Sequence, residues 1–310
     1  MKAVVLVNMG APDSEREMKT FLKRMFSDKA IMYAPAIVRF VFSNIISRVR
    51  YKSSWKKYES IGGTPLLQSM EAYRAMLQNQ LNDNYIVRSA YSYSHPFIRD
   101  EISNLYRRGI TEFIIISMYP QSGYSTTGSV KSELEKLQKC YDKAKFNFIG
   151  NYFDHPEFIQ FWMKLISAKI ENAGYNSPFL LFSSHAIPQS FVERGDTYTR
   201  QTEVSAKLIA SQLNLNFDLS YQSKIGPVSW TKPSTRDFLK MLKIKNINEI
   251  VLVPLSFINE NLETKYDLDS ELIPYAKNQL GITDICRVQI PTVDENLLKM
   301  FVKFIEDAYN

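Results

Sequence analysis

Short apolar runs alternate with longer amphipathic stretches along this chain, and this alternation constrains the fold more than any other feature. The runs have the length of strands buried on both faces, and the stretches between them have helical periodicity. The strand-like runs cover residues 3–7, 85–93, 113–118, 179–182, 217–221 and 250–257, and the helical stretches cover residues 69–81, 95–106, 131–144, 157–172, 202–213, 235–242 and 296–308. Because strands separated by helices form parallel sheets covered by those helices, we predict an α/β fold.

The two halves of the chain follow the same plan. GITEFIIISMYPQ at 109–121 aligns with KNINEIVLVPLSF at 245–257, and LVNMGAP at 6–12 aligns with FSSHAIP at 182–188. This internal likeness predicts two similar Rossmann-like lobes, each a parallel sheet flanked by helices, with the strand ends of both lobes facing one cleft.

The boundary between the lobes is predicted near residue 155, where no Pro-rich or Gly-rich linker interrupts the chain. We expect an N-terminal lobe over residues 1–155 with an inserted segment at about 13–57, a C-terminal lobe over residues 156–293, and a C-terminal helix over residues 294–310 that packs back on the first lobe. Without a flexible linker, the lobes are expected to behave as one rigid unit.

Composition and charge exclude several classes of protein. With 310 residues, 45% of them hydrophobic, the chain can bury a full core. No stretch approaches the ~18 uninterrupted apolar residues of a membrane span, since the best candidate, residues 31–46, contains Arg39. The apolar run that opens the chain is too short for a secretory signal. The net charge is +6, but the basic residues are scattered and form no nucleic-acid-binding motif, so we expect no nucleic-acid partner.

The cysteine content indicates a reducing compartment. Cys140 and Cys286 are far apart and show no metal-binding spacing. Neither a zinc site nor a cysteine-ligated iron–sulfur cluster can be built from them alone. We interpret both as reduced thiols of a cytoplasmic protein.

One histidine and a row of acidic residues mark the candidate site. His185 follows a predicted core strand, the position from which α/β folds usually build their sites. Glu263, Asp267 and Glu271 recur every four residues, which would place three carboxylates on one face of a helix. Repulsion between like charges at this spacing destabilises a helix by about 0.2–0.5 kcal/mol per neighbouring pair, so the three carboxylates must be solvated or must bind a cation. Because the row follows a predicted buried strand, we favour a site over a solvated face.

The inserted segment at residues 13–57 is both apolar and basic. Its apolar residues exceed what one helix face requires. The segment forms either a hydrophobic hairpin packed on the core, or an exposed apolar lip with a basic rim of Arg48, Arg50 and Lys52. A lip of this kind would suit a flat apolar ligand that carries carboxylates, or the surface of a bilayer.

Six segments, in the right order, resemble signatures of the ferrochelatase family, whose members insert ferrous iron into a porphyrin. The segments are LVNMGAP at 6–12, YESIGGTPL at 58–66, YPQSGYSTTGS at 119–129, FSSHAIPQSFVERGDTY at 182–198, YQSKIGPVSW at 221–230 and LETKYDLD at 262–269. The resemblance covers nearly the whole chain. It implies two chelatase-like lobes with a porphyrin cleft between them.

The resemblance also implies roles for individual residues. His185 and Glu263 would face each other across the macrocycle as catalytic residues and metal ligands. Asp267 and Glu271 would continue from them as outer metal ligands or as a route for protons. Arg50 is the expected partner of a propionate, because a guanidinium can hold a carboxylate through two bonds. The other porphyrin-binding residues implied are Met9, Leu22, Met25, Tyr58, Tyr119, Ser125 and Trp230.

The chemistry of metal insertion calls for these residue types. A free-base porphyrin must lose two pyrrole protons while a hydrated cation sheds its water. A neutral imidazole can bind a borderline divalent ion or accept a proton near neutral pH, and a carboxylate can perform the complementary task. The sequence leaves open which of His185 and Glu263 takes protons and which first binds iron.

Several positions depart from the family pattern. Asn261 stands where many relatives carry a second histidine, and Glu260 replaces a common aspartate, which argues against a metal role for that pair. Ser92 occupies a position where arginine is frequent. Tyr124 stands where cluster-bearing relatives place a cysteine, and the chain has no cysteine-rich tail. We therefore expect no iron–sulfur cluster and no permanently bound cofactor, with Fe²⁺ as a substrate.

The leading hypothesis is a ferrochelatase, a lyase of porphyrin and haem biosynthesis that inserts Fe²⁺ into protoporphyrin IX. The enzymatic alternatives are a coproporphyrin III ferrochelatase and a cobalt chelatase of the same fold. The non-enzymatic alternative is a haem or porphyrin carrier, which would not need Glu263. We expect a monomer, and a peripheral contact with a membrane surface or with neighbouring haem enzymes stays open.

Overall fold

The computed structural model describes residues 1–224, 226 and 228–308. Positions 225 and 227, inside the YQSKIGPVSW motif, and the last two positions lie outside the described residues. The chain divides into two compact units, Met1–Asn151 with Leu298–Asn310, and Tyr152–Leu297. We refer to them as unit 1 and unit 2.

Unit 1 is built on a parallel sheet of four strands in the order β2-β1-β3-β4. Its strands are β1 (Lys2–Asn8), β2 (Tyr85–Tyr91), β3 (Glu112–Ser117) and β4 (Lys145–Ile149). Its helices are α1 (Glu15–Ser27), α2 (Ala36–Ser60), α3 (Pro65–Gln80), α4 (Ile98–Arg107), α5 (Ser129–Cys140) and a π-helix, π1 (Tyr124–Gly128).

Unit 2 is built on a second parallel sheet of four strands in the order β6-β5-β7-β8. Its strands are β5 (Phe179–His185), β6 (Phe217–Gln222), β7 (Ile250–Val253) and β8 (Ile285–Arg287). Its helices are α6 (Pro156–Ala173), α7 (Gln189–Glu193), α8 (Tyr198–Leu213), α9 (Thr235–Ile244), α10 (Ile273–Leu280) and a second π-helix, π2 (Glu263–Leu272).

The two sheets share one topology, which confirms the predicted pair of similar α/β lobes. In each unit the first strand lies second in the sheet, and the third strand is followed by a π-helix. The central strands β1, β3, β5 and β7 are almost entirely buried. Continuous apolar runs are what parallel strands covered on both faces require.

Two strands were not predicted, and the predicted strands at 85–93 and 250–257 are shorter in the structure, where they end at Tyr91 and Val253. β4 and β8 lie at sheet edges; β4 is mostly half-buried, and β8 has only three residues, so neither carries a continuous apolar run. The predicted strand at 250–257 ends at Val253, because the chain leaves the sheet in a loop before π2.

The C-terminal helix, α11 (Glu295–Asp307), begins in unit 2 and continues in unit 1. Within unit 1, the Phe301 ring packs edge-on against Tyr73 at 5.8 Å between centroids. The Asn147 side-chain amide donates a hydrogen bond of 2.6 Å to the Ala308 carbonyl. These contacts attach the end of the chain to the first sheet and its helices.

The inserted segment combines both of the alternatives that its sequence allowed. α1 and α2 pack as a helical hairpin, with the rings of Phe26 and Phe42 at 5.6 Å. The other face of α2 leaves Ile37, Phe40 and Val49 between 61% and 72% exposed. Within the described ranges, no helix combines the length and apolarity needed to cross a bilayer.

Candidate functional site

His185 is the last residue of β5, at the carboxyl end of a buried central strand, as predicted. Its backbone N–H donates a hydrogen bond of 3.1 Å to the Ser256 hydroxyl, in the loop after β7. That hydroxyl in turn lies 2.5 Å from the buried Tyr198 hydroxyl at the start of α8. Three elements therefore fix the backbone from which the imidazole projects.

Glu263 is the first residue of π2, and its carboxylate meets the imidazole of His185. The distance from Nδ1 of His185 to Oε2 of Glu263 is 2.7 Å, although 78 positions separate the two residues in sequence. The side-chain amide of Gln222, at the end of β6, donates to the same oxygen at 3.4 Å. The two side chains stay 34% and 23% exposed. The pair is therefore fixed by the protein and open to a ligand.

The acidic row behind Glu263 lies on a π-helix, where the four-residue spacing predicted a single α-helical face. A π-helix bonds residue i to residue i+5, so its turn is wider than the α-turn that the spacing predicted. Asp267 accepts a hydrogen bond of 2.6 Å from the Ser223 hydroxyl, which also contacts Glu263. Glu271 is exposed.

The four residues predicted as metal ligands are thus only partly brought together. His185 and Glu263 are in contact, and Ser223 joins Glu263 to Asp267. Across the part of the chain that the structure describes, no three His, Cys, Asp or Glu side chains are grouped so as to hold a metal ion. The described geometry therefore offers a pair of ligands.

The electrostatics of this pair favour an ionised state. Burial disfavours the imidazolium of His185, but the Glu263 carboxylate outweighs it and raises the pKa of His185. Burial likewise disfavours the Glu263 carboxylate, but His185 outweighs it and lowers the pKa of Glu263. The imidazole of His185 therefore stays protonated to a higher pH than a free imidazole does. It must release this proton before it can act as a base or bind a metal.

These shifts predict that the His185–Glu263 pair stabilises the fold most strongly in mildly acidic solution. The raised pKa of His185 gives a contribution that is complete below about pH 6.5 and is lost as the pH rises through the folded-state pKa. The lowered pKa of Glu263 gives a second contribution to stability, which is present above about pH 4.5 and is lost in stronger acid. Urea denaturation of the wild type and of His185→Gln should show a larger difference in unfolding free energy at pH 6 than at pH 9. An equal difference at both values would contradict the pairing.

Most of the predicted porphyrin-binding residues lie in unit 1. Met9 directly follows β1, Tyr119 comes two residues after the end of the adjacent strand β3, and Ser125 lies on π1. Leu22 and Met25 lie on α1, and Arg50 and Tyr58 lie on α2. Parallel strands place their carboxyl ends at one edge, so Met9 and Tyr119 follow strands that end at the same edge of the sheet.

Trp230 belongs to unit 2, in the segment between β6 and α9. Its backbone pairs with that of Pro188, three positions after His185. The indole nitrogen is buried and has no hydrogen-bond partner among the residues that the structure describes. Trp230 therefore lies beside the segment that follows the strand end carrying His185.

Four residues of the site were not singled out from sequence: Tyr198, Gln222, Ser223 and Ser256. The first three fall inside motifs that carry the family resemblance, and the fourth lies within the apolar run at 250–257. Ser223 has a φ of 64°, in the left-handed region that non-glycine residues rarely adopt. Their contacts involve hydroxyl and amide groups that no residue spacing reveals.

Comparison with known proteins decides the family. The sequence model of the ferrochelatase family matches residues 1–309. A ferrochelatase of Aquifex aeolicus is 34% identical over 99% of this chain and 97% of its own length. A ferrochelatase of a Sulfurihydrogenibium species is 32% identical over 98% and 96%. The chain belongs to the ferrochelatase family. It is therefore a metal chelatase, a lyase that inserts Fe²⁺ into a porphyrin in haem biosynthesis.

Solved structures of other chelatases share the fold of this ferrochelatase family member. SirB from Bacillus subtilis with Fe³⁺ superposes with a TM-score of 0.61 at 10% identity, covering 100% of this chain and 97% of that one. The sirohydrochlorin chelatase SirB in complex with cobalt gives a TM-score of 0.58, also at 10% identity, covering 99% and 95%. At this identity the likeness concerns the fold alone, and it confirms the chelatase-like α/β architecture.

Proposed function

We propose that the chain inserts Fe²⁺ into protoporphyrin IX, forming protohaem and releasing two protons, with His185 and Glu263 as its catalytic residues. The observation that supports this most is the 2.7 Å contact between their side chains at the carboxyl end of β5. An imidazole and a carboxylate held together, half-exposed, offer one nitrogen and several oxygen donors to a borderline cation. They also offer two bases to the pyrrole protons.

Proton removal from this site would follow the polar side chains of unit 2. Ser223 contacts both Glu263 and Asp267, so its hydroxyl links the carboxylate beside His185 to the next one on π2. The exposed Glu271 continues toward solvent. We propose Asp267 and Glu271 as the route for protons or iron, with the metal bound first by His185 or Glu263.

The porphyrin itself would be held by apolar and aromatic side chains. Met9, Leu22, Met25, Tyr58, Tyr119, Ser125 and Trp230 are the proposed contacts, and Arg50 the proposed propionate partner. Distorting the ring would point a nitrogen lone pair out of its plane, so that the protein binds a shape nearer the transition state than the flat substrate.

The substrate is tested by comparing two porphyrins. Purified chain is incubated anaerobically with Fe²⁺ and either protoporphyrin IX or coproporphyrin III, and the change from the free-base to the metalloporphyrin absorption spectrum is followed. We expect a larger kcat/KM with protoporphyrin IX. A larger value with coproporphyrin III would assign the chain to that branch, and insertion of Co²⁺ alone would favour a cobalt chelatase. Binding of either porphyrin without insertion of any metal would favour a carrier.

We further propose a peripheral contact between α2 and an anionic lipid surface. The exposed apolar side chains of Ile37, Phe40 and Val49 would enter the interface, while Arg48 and Lys52 face the headgroups. Monomers rarely expose so many large apolar side chains on one helix without a binding role.

This contact predicts that Ile37→Asn combined with Phe40→Asn lowers co-sedimentation with vesicles of phosphatidylcholine and phosphatidylserine. The matched control is Met241→Asn with Ile244→Asn, because both residues are exposed apolar side chains of α9 in unit 2. The control should bind vesicles as the wild type does. Equal binding by both double variants, or no binding by the wild type, would contradict the proposal.

A further inference from the structure

We infer that Glu260, Asn261 and Arg287 are positioning residues that fix the first turn of π2 and so hold the Glu263 carboxylate against His185. The inference rests on the proposed role of Glu263 in metal insertion. It concerns two positions, 260 and 261, at which this chain departs from the family pattern and for which a metal role was disfavoured. Their contacts give them a different task.

Asn261 caps the π-helix through its side-chain oxygen. This Oδ1 atom accepts hydrogen bonds from the backbone N–H groups of Glu263, at 2.8 Å, and of Thr264, at 3.1 Å. In return, the Asn261 backbone N–H donates to the Thr264 hydroxyl at 2.9 Å. The arrangement resembles a capping box, in which two groups satisfy each other's backbone donors. Because one capped donor is the N–H of Glu263 itself, the cap fixes the backbone of that residue.

Glu260 connects the same turn to β8. One of its oxygens accepts from the Arg287 guanidinium at 2.9 Å and from the backbone N–H of Ile290 at 2.8 Å. The other oxygen accepts from the Thr264 hydroxyl. Glu260 therefore holds Thr264, the residue after Glu263, by a bond from outside the helix.

Arg287 fixes a second point on π2. Its side chain is 1% exposed, and it donates two bonds of 2.7 Å to the carboxylate of Asp269 in a fork arrangement. A planar guanidinium bound through two nitrogens sets both distance and orientation. The arginine thus holds Asp269 directly and Thr264 through Glu260, which fixes the axial position of the segment that starts with Glu263.

These contacts supply hydrogen-bond donors to the side-chain oxygens at positions 260 and 261. Both oxygens of Glu260 and the side-chain oxygen of Asn261 accept bonds from backbone groups, a hydroxyl or a guanidinium. Groups that orient a metal ligand from behind commonly change activity by about 10–100-fold when they are removed. We expect an effect of this size from loss of the Asn261 cap.

The experiment compares variants at position 261 in steady-state insertion of Fe²⁺ into protoporphyrin IX. Asn261→Ala should lower kcat about 10–100-fold and leave the KM for porphyrin unchanged. Asn261→Ser keeps a neutral capping oxygen and should retain most of the wild-type kcat. If Asn261→Ala does not fold, Asn261→Gly serves the same test, because glycine is tolerated at a helix cap without a side-chain bond.

The matched control removes a cap from another helix of unit 2. Ser234 caps α9 by accepting a hydrogen bond of 3.2 Å from the Asp237 backbone N–H. Ser234→Ala should lower Tm by about 2–4 °C and leave kcat unchanged. A merely structural cap at Asn261 would behave as this control does.

A double-mutant cycle decides whether Asn261 acts through Glu263. In a Glu263→Gln background, Asn261→Ala should cause no further loss of kcat, since the group it positions is already disabled. The same fold-loss in both backgrounds, or a wild-type kcat for Asn261→Ala, would overturn the inference alone. Failure of the wild type to insert iron would instead overturn the proposed function on which it rests.

Discussion

Glu263→Gln is expected to lower the rate of metal insertion by about two to four orders of magnitude while porphyrin binding survives. Glutamine has the size and shape of glutamate and can still hydrogen-bond to His185, but it carries no negative charge and accepts no proton at neutral pH. A positioned acid or base contributes about 10²–10⁴-fold to a rate, and we expect a loss of kcat of that order. Anaerobic absorption assays measure insertion, and quenching of porphyrin fluorescence measures binding.

The control for this substitution is Glu203→Gln. Glu203 is an exposed residue of α8 whose carboxylate pairs with Lys207 at 2.7 Å, so it tests the same chemical change away from His185. The control should insert iron at the wild-type rate. If Glu263→Gln also kept its kcat within a few-fold of the wild type, Glu263 would not be a catalytic residue.

His185→Ala is expected to cause a loss of similar size. The substitution removes the only imidazole that contacts Glu263 among the described residues, and it leaves a half-buried carboxylate without its cationic partner, which raises the pKa of Glu263. Both the base and the nitrogen ligand of the proposed mechanism are then missing. We expect kcat to fall about 10²–10⁴-fold and to recover partly when free imidazole is added.

The matched control for this histidine is His155→Ala. His155 immediately precedes α6, also in unit 2, and its ring pairs with Glu157 at 2.7 Å. This variant should insert iron as the wild type does, with or without added imidazole. If His185→Ala raised the KM for porphyrin without lowering kcat, His185 would serve binding rather than catalysis.

The strands that build the site could be predicted because burial imposes a simple pattern on them. β5 and β7 are covered on both faces, so their residues form apolar runs, and His185 is recognisable as the polar residue that ends one of them. β4 and β8 escape this rule because edge strands are short or partly exposed. Strand ends can therefore be located from sequence mainly where strands are central.

The geometry of π2 could not be predicted from the spacing of its acidic residues. Glu263, Asp267 and Glu271 fit an α-helical face, and nothing in a four-residue period distinguishes α from π. The π-turns are fixed by contacts with residues outside the helix, such as the bonds from Arg287 to Asp269. These contacts depend on the tertiary fold, so they cannot be predicted from the sequence of the segment itself.

The family resemblance implied that His185 and Glu263 face each other across the macrocycle, but their side chains are in direct contact at 2.7 Å, so a flat ring does not lie between them. From the residues alone, each could be assigned to the end of a core strand or to the segment that follows one, but the pairing across 78 positions depends on the strand order of the second sheet. Ser223 and Ser256 were missed because a serine hydroxyl serves equally well on a solvated surface.

A single-turnover experiment with the double variant His185→Ala/Glu263→Gln tests most directly whether this pair exchanges pyrrole protons for iron. Protoporphyrin IX is bound first, Fe²⁺ is then mixed in under anaerobic conditions, and the absorption spectrum of the bound macrocycle is followed. We expect the wild type to convert the bound free base to protohaem, and the double variant to bind the porphyrin and leave it metal-free. Conversion by the double variant at the wild-type rate would contradict the assignment of His185 and Glu263.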